Sequence, residues 1–221
     1  MKPTLREENF RGEHVVDALS KLDICICGMG ALGSNLMMEL YRQGANIARI
    51  IDDDKVEEHN ISTQAYGMRH IGRAKISACE ALAWEFFEAS PSIIYRRLDE
   101  KNAERFLHGY HLVVDTFDNA ESRNAVKYAC DRLNIPCLHL GMDELGLYGE
   151  VVWGREYYMF TEEFSKLTEA NDPCDIGTSR VLIMIVVSLG CETIMRWLDS
   201  SMKVENNFTF TMRDMHVQEW Q

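Results

Sequence analysis

The glycines of Gly28-x-Gly30-x-x-Gly33 and the acid Asp52 form the pattern in this chain with the plainest chemistry. In such a pattern the first glycine permits a tight turn and the second lets backbone approach a phosphate. The third lets a helix lie close on a strand, and an acid follows roughly twenty residues later. Phosphates then rest on the N–H groups at the start of the helix, where the macrodipole favours negative charge. Asp52 is placed to accept hydrogen bonds from ribose hydroxyls. The chemistry on offer is nucleotide binding, set against the plainer reading of a glycine turn that only shapes the chain.

The flanks of the turn supply the elements that such a site needs. Apolar Ile24 to Cys27 leads in, Leu36, Met37 and Leu40 keep helical spacing after it, and Gly44 closes that helix. A second apolar run, Ile47 to Ile51, ends at Asp52, so the order predicts strand, turn, helix, strand. Upstream, Val15, Val16, Leu19 and Leu22 predict a short helix over Glu13 to Leu22, whereas residues 1–12 read as polar and loose. The polar stretch from Asp53 to His70 has neither strand nor linker character. Helical spacing returns from about Gly72, with Ile76, Cys79, Leu82, Ala83 and Phe86, and stops at Ser90-Pro91. Ser92 to Leu98 reads as a strand and Lys101 to Leu107 as a short helix. Tyr110 to Val114 reads as a buried strand that leads to Asp115-Thr116-Phe117-Asp118.

Further on, the pattern predicts a helix from about Asn119, a strand over Ile135 to Leu140 with Gly141 as its stop, and a strand over Tyr148 to Trp153. Residues 154–178 form a long crossover loop without periodicity, of a length that is usually functional. Ser179 to Leu198 is apolar on nearly all sides, so that helix belongs in the core or in a subunit interface. Phe208 to Val217 alternates as a closing strand or hairpin. The expectation is one α/β domain over residues 1–221 with an N-terminal helical arm, residues 1–22. Its sheet is doubly wound, Rossmann-like and mostly parallel, with helices on both faces and antiparallel strands toward the C-terminus. Ligands of such sheets sit beyond the carboxyl ends of the strands, where Gly28–Gly33, Asp52–Gln64 and Asp115–Asp118 converge.

Bulk properties exclude several classes. The 221 residues suit a single domain with a sizeable core. A net charge of −12 without a basic patch argues against nucleic acid as partner. No signal peptide follows Lys2, Arg6 and Arg11, and the longest apolar run, Val181 to Leu189, is too short to span a bilayer. Seven cysteines without a Cys-x-x-Cys predict a cytoplasmic protein and no zinc site. Cys25 and Cys27 share one face of a strand and read as buried core thiols. His139, inside an apolar strand, reads as a satisfied core residue.

Four motifs in order carry more than each does singly. They are the glycine turn; Asp52-Asp53-Asp54-Lys55-Val56 with Asn60-Ile61-Ser62-Thr63-Gln64; Gly72-Arg73-Ala74-Lys75; and Asp115-Thr116-Phe117-Asp118-Asn119 with Arg123. Over about residues 20–141, with a later Cys174-x-x-Gly177, the chain resembles the ThiF/MoeB/HesA family, the bacterial relatives of ubiquitin-activating enzymes. The resemblance implies an adenylyltransferase that uses MgATP to activate the C-terminal carboxylate of a small ubiquitin-like or sulfur-carrier protein and releases pyrophosphate. It implies an ATP site of Gly28, Gly30, Gly33, Asp52, Asp54, Asn60, Gln64, Lys75, Asp118 and Asn119. Lys75 would neutralise phosphate charge, Asp118 would hold Mg²⁺, Asn60 and Gln64 would hold phosphate oxygens, and Asp52 the ribose. It also implies a homodimer in which Arg11 reaches the partner's ATP. A carboxylate nucleophile is already ionised, so such catalysis rests on positioning and charge neutralisation.

Plainer readings stand beside these. Asp118 with Glu121 three residues later also spells a helix N-cap, and Lys75 also reads as a solvated lysine at a helix start. Asn60 and Gln64 read equally as loop polars, and Asp54 as a turn cap. Thr63 stands where the family usually has an arginine on the phosphates. Arg69 or Arg73 would have to reach in, or the activity is weak, or the chain is a non-catalytic half of a heterodimer. The zinc-binding cysteine pairs of many relatives are missing, and Arg11 is not a clean match. Cys174 sits where relatives carry a cysteine that can take the carrier covalently. Asp172 and Asp175 would raise its thiol pKa, which favours a spectator. Two rival functions are an NAD(P)-dependent oxidoreductase, which has no joint use for Asn60, Gln64, Lys75 and Asp118, and a non-catalytic scaffold subunit. ATP–pyrophosphate exchange separates all three.

Overall fold

The computed structural model describes residues 3–143, 145–154 and 180–220. Two helices open the chain, α1 (Leu5–Arg11) and α2 (Glu13–Lys21). Residues 5–11, read as loose, are therefore helical. Thr4 Oγ1 donates to Glu8 at 2.9 Å and Arg11 Nε to Glu7 at 2.9 Å, so spacings of four residues hold α1 without a single buried side chain. β1 (Ile24–Cys27), buried throughout, leads through the glycine turn into α3 (Ala31–Arg42) and β2 (Ile47–Ile51). Two short 3-10 turns, Glu58–Ser62 and Met68–His70, fill the polar stretch.

α4 (Lys75–Phe87) starts three residues later than the apolar spacing suggested, because Gly72 takes a φ of +84° and Ala74 is extended. β3 (Ser92–Ile94) is shorter than expected, and Leu98, though buried, belongs to the packing rather than to the sheet. α5 (Ala103–Leu107), β4 (Leu112–Asp115), α6 (Ala120–Leu133) and β5 (Cys137–Met142) follow. Gly141 does not stop β5. It pairs with Glu150 of β6 (Tyr148–Trp153), and a Cβ there would meet Glu150 Oε1 at 3.0 Å. Across the interval 155–179, α7 (Arg180–Asp199) and a hairpin of β7 (Asn207–Thr211) and β8 (His216–Trp220) complete the described chain. The expected crossover loop, with Cys174, Asp172, Asp175 and Gly177, lies outside the described residues.

The eight strands form one sheet in the order β3-β2-β1-β4-β5-β6-β7-β8. β1 to β5 run parallel to one another, and the pairs β5–β6, β6–β7 and β7–β8 are antiparallel. Chain order reverses between β1 and β4, which makes the carboxyl ends of those two strands the place for a ligand. Cys27 pairs with Ile51 on one side and Asp115 on the other, so Gly28, Asp52 and Thr116 leave the sheet on one line.

One core layer lies under α2, α3, α4 and α7, where Trp153 and Trp197 meet with ring centroids 5.2 Å apart. The other lies under α5 and α6 and takes in Cys25 and Cys27, both fully buried. α7 is long enough, at 20 residues, to cross a bilayer, but its inner face is taken up by α3 and the sheet. Its outer face leaves Val181 exposed and Met184, Ile185 and Leu189 half-buried.

Candidate functional site

The glycine turn is fixed from behind and open in front. Gly28, with φ +89°, donates its N–H to Ile51 O at 2.8 Å, and its carbonyl oxygen lies 2.7 Å from the Thr116 hydroxyl. A Cβ on Gly33 would meet Gly28 O at 1.9 Å and Thr116 Oγ1 at 2.5 Å, so the third glycine lets the helix close onto the turn itself. A Cβ on Gly30 would meet nothing within 4 Å. α3 starts with no side-chain cap and no acid in its first turn, which leaves its first N–H groups to an anion. Space before Gly30 and an uncapped helix end fit a phosphate.

Asp52 is buried at the end of β2. Its Oδ2 accepts Met29 N–H at 2.7 Å and its Oδ1 accepts Asp54 N–H at 2.7 Å. The acid thus shapes the turn first, and each oxygen keeps a lone pair for a hydroxyl. Burial raises its pKa, and Lys75 and the two N–H donors act against that rise.

Lys75 is brought beside Asp52 by backbone pairing, with Val56 N–H on Arg73 O at 2.9 Å, Gly72 N–H on Val56 O at 2.8 Å and Lys75 N–H on Asp54 O at 2.9 Å. Its side chain is buried at 8% exposure and donates to Asp54 Oδ2 at 2.8 Å, so it is not a solvated lysine. Burial alone would lower its pKa. The charges of Asp52, Asp54 and Asp118 and the Asp54 hydrogen bond outweigh burial, so the pKa is raised and Lys75 carries a fixed positive charge.

A buried frame carries Asp118. Asp115, fully buried, lies 2.8 Å from His139 Nδ1 and accepts Phe117 N–H at 3.1 Å. Arg123 donates to Phe117 O at 2.6 Å and to Leu140 O, with its Nε 3.6 Å from Asp115. His139 is therefore a core residue, tied to an acid that apolar spacing does not reveal. Asp118 is exposed and does not cap the following helix. That role belongs to Asn119, whose Oδ1 accepts Ser122 N–H at 2.9 Å. Asn119, expected at the nucleotide, commits its acceptor to the helix.

Asn60 is buried with its Oδ1 on Glu57 N–H at 2.9 Å, inside its own turn. The loop from Asn60 to Gln64 is held against the start of α3 by two residues that the motif reading passed over. Asn35 Nδ2 donates to Thr63 O at 2.9 Å, and Ser34 Oγ accepts Ala65 N–H at 3.1 Å. Tyr66 adds a third tie, its hydroxyl on Met29 O at 2.6 Å. Gln64 Oε1 is buried with no hydrogen-bond partner among the described residues. An amide oxygen accepts and does not donate, so it fits a hydroxyl of a ligand, and a phosphate contact from Gln64 falls to its Nε2.

Two of the expected cations lie elsewhere. Arg69 pairs with Glu85 on the surface. Arg11 pairs with Glu7 at 2.9 Å and with Glu192 of α7 at 2.8 Å, outside the crevice of its own chain. Arg180 reaches Thr63 instead, its Nη1 at 3.3 Å from the carbonyl oxygen.

Comparisons with known proteins place the chain among adenylyltransferase-like sequences and folds. The probable molybdopterin-synthase adenylyltransferase of Gracilaria tenuistipitata var. liui is 28% identical over 114 residues, covering 51% of this chain and 32% of that protein. The molybdopterin-synthase adenylyltransferase of Salmonella typhimurium is 27% identical over 136 residues, covering 61% of this chain and 53% of that protein. The chain thus spans about a third to a half of the length of these curated relatives. E. coli MccB, solved with ATP, shares the fold at a TM-score of 0.80 and 15% identity, over 100% of this chain and 71% of that one. A family model described as the ThiF family matches residues 4–221, through all four motifs and the hairpin that closes the sheet, and the chain belongs to that family.

Proposed function

We propose that this chain is an ATP-dependent adenylyltransferase. It activates the C-terminal carboxylate of a small ubiquitin-like or sulfur-carrier protein as an acyl-adenylate and releases pyrophosphate. The observation that carries the reading is Lys75, a buried amine kept charged by Asp52, Asp54 and Asp118 beside an open glycine turn. A nicotinamide enzyme uses the turn and Asp52 but has no task for that lysine.

The substrate carboxylate is ionised at neutral pH and attacks the α-phosphorus without a general base. The bond to the bridging oxygen breaks and pyrophosphate departs. The work left to the protein is to align the reactants and to offset charge on the phosphates. Asp52 holds the turn and offers lone pairs to the ribose, and Lys75 supplies positive charge. Magnesium fits Asp118, an exposed carboxylate with no cap to serve, since hard cations prefer oxygen donors. Bound there, it would offset charge on the departing pyrophosphate. Asp52, Asp53 and Asp54 also bring one oxygen each within 4.8 Å of one another, but Asp52 holds two N–H donors and Asp54 holds Lys75.

A homodimer is part of the proposal, supported by the apolar outer face of α7. Arg11 would serve the neighbouring copy's nucleotide after leaving Glu7 and Glu192. A cytoplasmic setting is supported by the six described cysteines, all free and buried. Thr63 favours a second reading, a non-catalytic partner subunit.

Melting curves and exchange separate these readings. MgATP is expected to raise the melting temperature whereas NAD⁺ and NADH do not, because a ligand selective for the native state stabilises it by mass action. ATP–pyrophosphate exchange is expected with a small ubiquitin-like or sulfur-carrier protein as carboxylate donor. Stabilisation by NAD⁺ alone would end the adenylation reading. MgATP binding without exchange would establish the partner-subunit reading.

A further inference from the structure

We infer that Arg180, the first described residue of α7, supplies the cation for the terminal phosphates of the bound nucleoside triphosphate from the Thr63 side of the crevice. The inference rests on the nucleotide reading above and names a residue that no motif contains.

Position is the first ground. The Thr63 carbonyl accepts Arg180 Nη1 at 3.3 Å and Asn35 Nδ2 at 2.9 Å. The same Asn35 amide lies 2.7 Å from Ala31 O, at the first residue of α3. One backbone carbonyl and one side chain therefore separate the guanidinium from the uncapped helix end behind Gly30. The contact joins residues 117 apart in sequence, so it is built by the fold and not by a local turn.

Charge is the second ground. A triphosphate entering a chain of net charge −12, past Asp52, Asp53 and Asp54, needs cations that are not already neutralised. Lys75 lies 2.8 Å from Asp54, Arg69 pairs with Glu85, and Arg123 is buried beside Asp115. Arg73 is exposed two residues before Lys75, where its charge acts on His70, and no side-chain hydrogen bond or ion pair among the described residues ties it to the Asn60–Gln64 loop to hold it toward the phosphates. Arg11 pairs with Glu192, twelve residues along α7 from Arg180, which at 1.5 Å per residue is about 18 Å away. Arg180 is exposed, and no carboxylate among the described residues lies within ion-pairing distance of it. A guanidinium that spends one donor on a carbonyl keeps a planar fork for phosphate oxygens. Lys75 then faces the phosphates from the β2 side and Arg180 from the α7 side.

Calorimetric titration of the full chain with MgATP and, separately, with AMP tests this. Arg180→Ala is expected to weaken MgATP at least about tenfold, the loss of roughly 1.4 kcal/mol, while AMP affinity stays within about twofold. The melting temperature of the unliganded chain is expected to stay unchanged, and Arg180→Lys to recover part of the loss. Thr63→Arg placed on Arg180→Ala is expected to restore MgATP affinity, because it returns a guanidinium to the same carbonyl's residue. Equal losses for ATP and AMP, or none for either, would overturn the inference while leaving nucleotide binding intact. So would dissociation of a dimer by Arg180→Ala in sedimentation, which would place the residue in an interface. A native chain that binds neither ATP nor AMP would overturn the nucleotide reading, and this inference with it.

Discussion

Asp52 accepts the Met29 amide at 2.7 Å, which ties the end of β2 to the turn that leaves β1. An acid read for its ribose contact is thus also the brace of the phosphate turn. Replacing it separates the two tasks. In Asp52→Asn one N–H donor, of Met29 or of Asp54, faces an amide NH₂ instead of an oxygen. A buried donor left without its acceptor costs about 1–3 kcal/mol. For a domain of this size that is a fall of roughly 2–12 °C in melting temperature. Thermal denaturation without nucleotide checks it, and an unchanged melting temperature would reduce Asp52 to a ligand contact only.

Gly30 and Gly33 are predicted to fail in opposite ways. Alanine at 33 would place a methyl 1.9 Å from Gly28 O, so turn and helix must separate. Overpacking of that kind costs about 3 kcal/mol or more, and Gly33→Ala should express poorly or melt some 6–12 °C lower. Alanine at 30 meets nothing within 4 Å, so the fold should be kept. Its methyl would stand in the space proposed for phosphate, and MgATP should no longer raise the melting temperature. Equal behaviour of the two variants would remove the phosphate from that place.

Asp118 and Asn119 divide two roles that the sequence left on one residue. Asn119→Ala removes the acceptor 2.9 Å from Ser122 N–H and should cost about 1 kcal/mol, as lost N-caps do. Asp118→Asn touches no cap, so the melting temperature should hold while exchange is lost, because an amide is a poor magnesium ligand. Exchange surviving in Asp118→Asn would take the metal away from this carboxylate.

The legible parts of this fold are those whose cause is local. Periods of two and of 3.6 in apolar residues marked the strands around the glycine turn and the helices between them. The turn signalled its own chemistry, since Gly28 needs its positive φ and Gly33 its close approach. What stayed hidden depends on contacts from afar. α1 buries nothing and is held by ion pairs, so no apolar period announces it. Gly141 looked like a stop because the reason for it, Glu150 on the neighbouring strand, is a pairing partner. Asp115 and His139 lie 24 residues apart and meet only because β4 and β5 are adjacent. The contact of Arg180 with the Thr63 carbonyl joins residues 117 apart, so no local motif announces it.

The last prediction concerns the arm that Arg11 anchors. Arg11 bridges Glu7 and Glu192 and so fastens α1 to α7. Burial would raise the Glu192 pKa, but hydrogen bonds from Arg11 and Arg196 outweigh it and hold the carboxyl below 4.5. A carboxylate lowered in the folded state contributes stability that is present above its unfolded value and lost as pH falls through its folded value. Glu192 is one-third exposed, so the contribution is at the scale of a solvent-screened pair, about 0.5–1 kcal/mol. Glu192→Gln should therefore melt about 1–4 °C below the native chain at pH 7, and the difference should close as pH falls below 4.5. Arg11→Ala should lower the melting temperature by a similar amount, and the double variant should add little, because the two share one interaction. Exchange should part them. If Arg11 serves the neighbouring copy's nucleotide, Arg11→Ala loses exchange while Glu192→Gln keeps it, since Glu192 only stores the arginine between turnovers. Equal exchange in the two variants would leave Arg11 as a strut of the arm and take it out of the reaction.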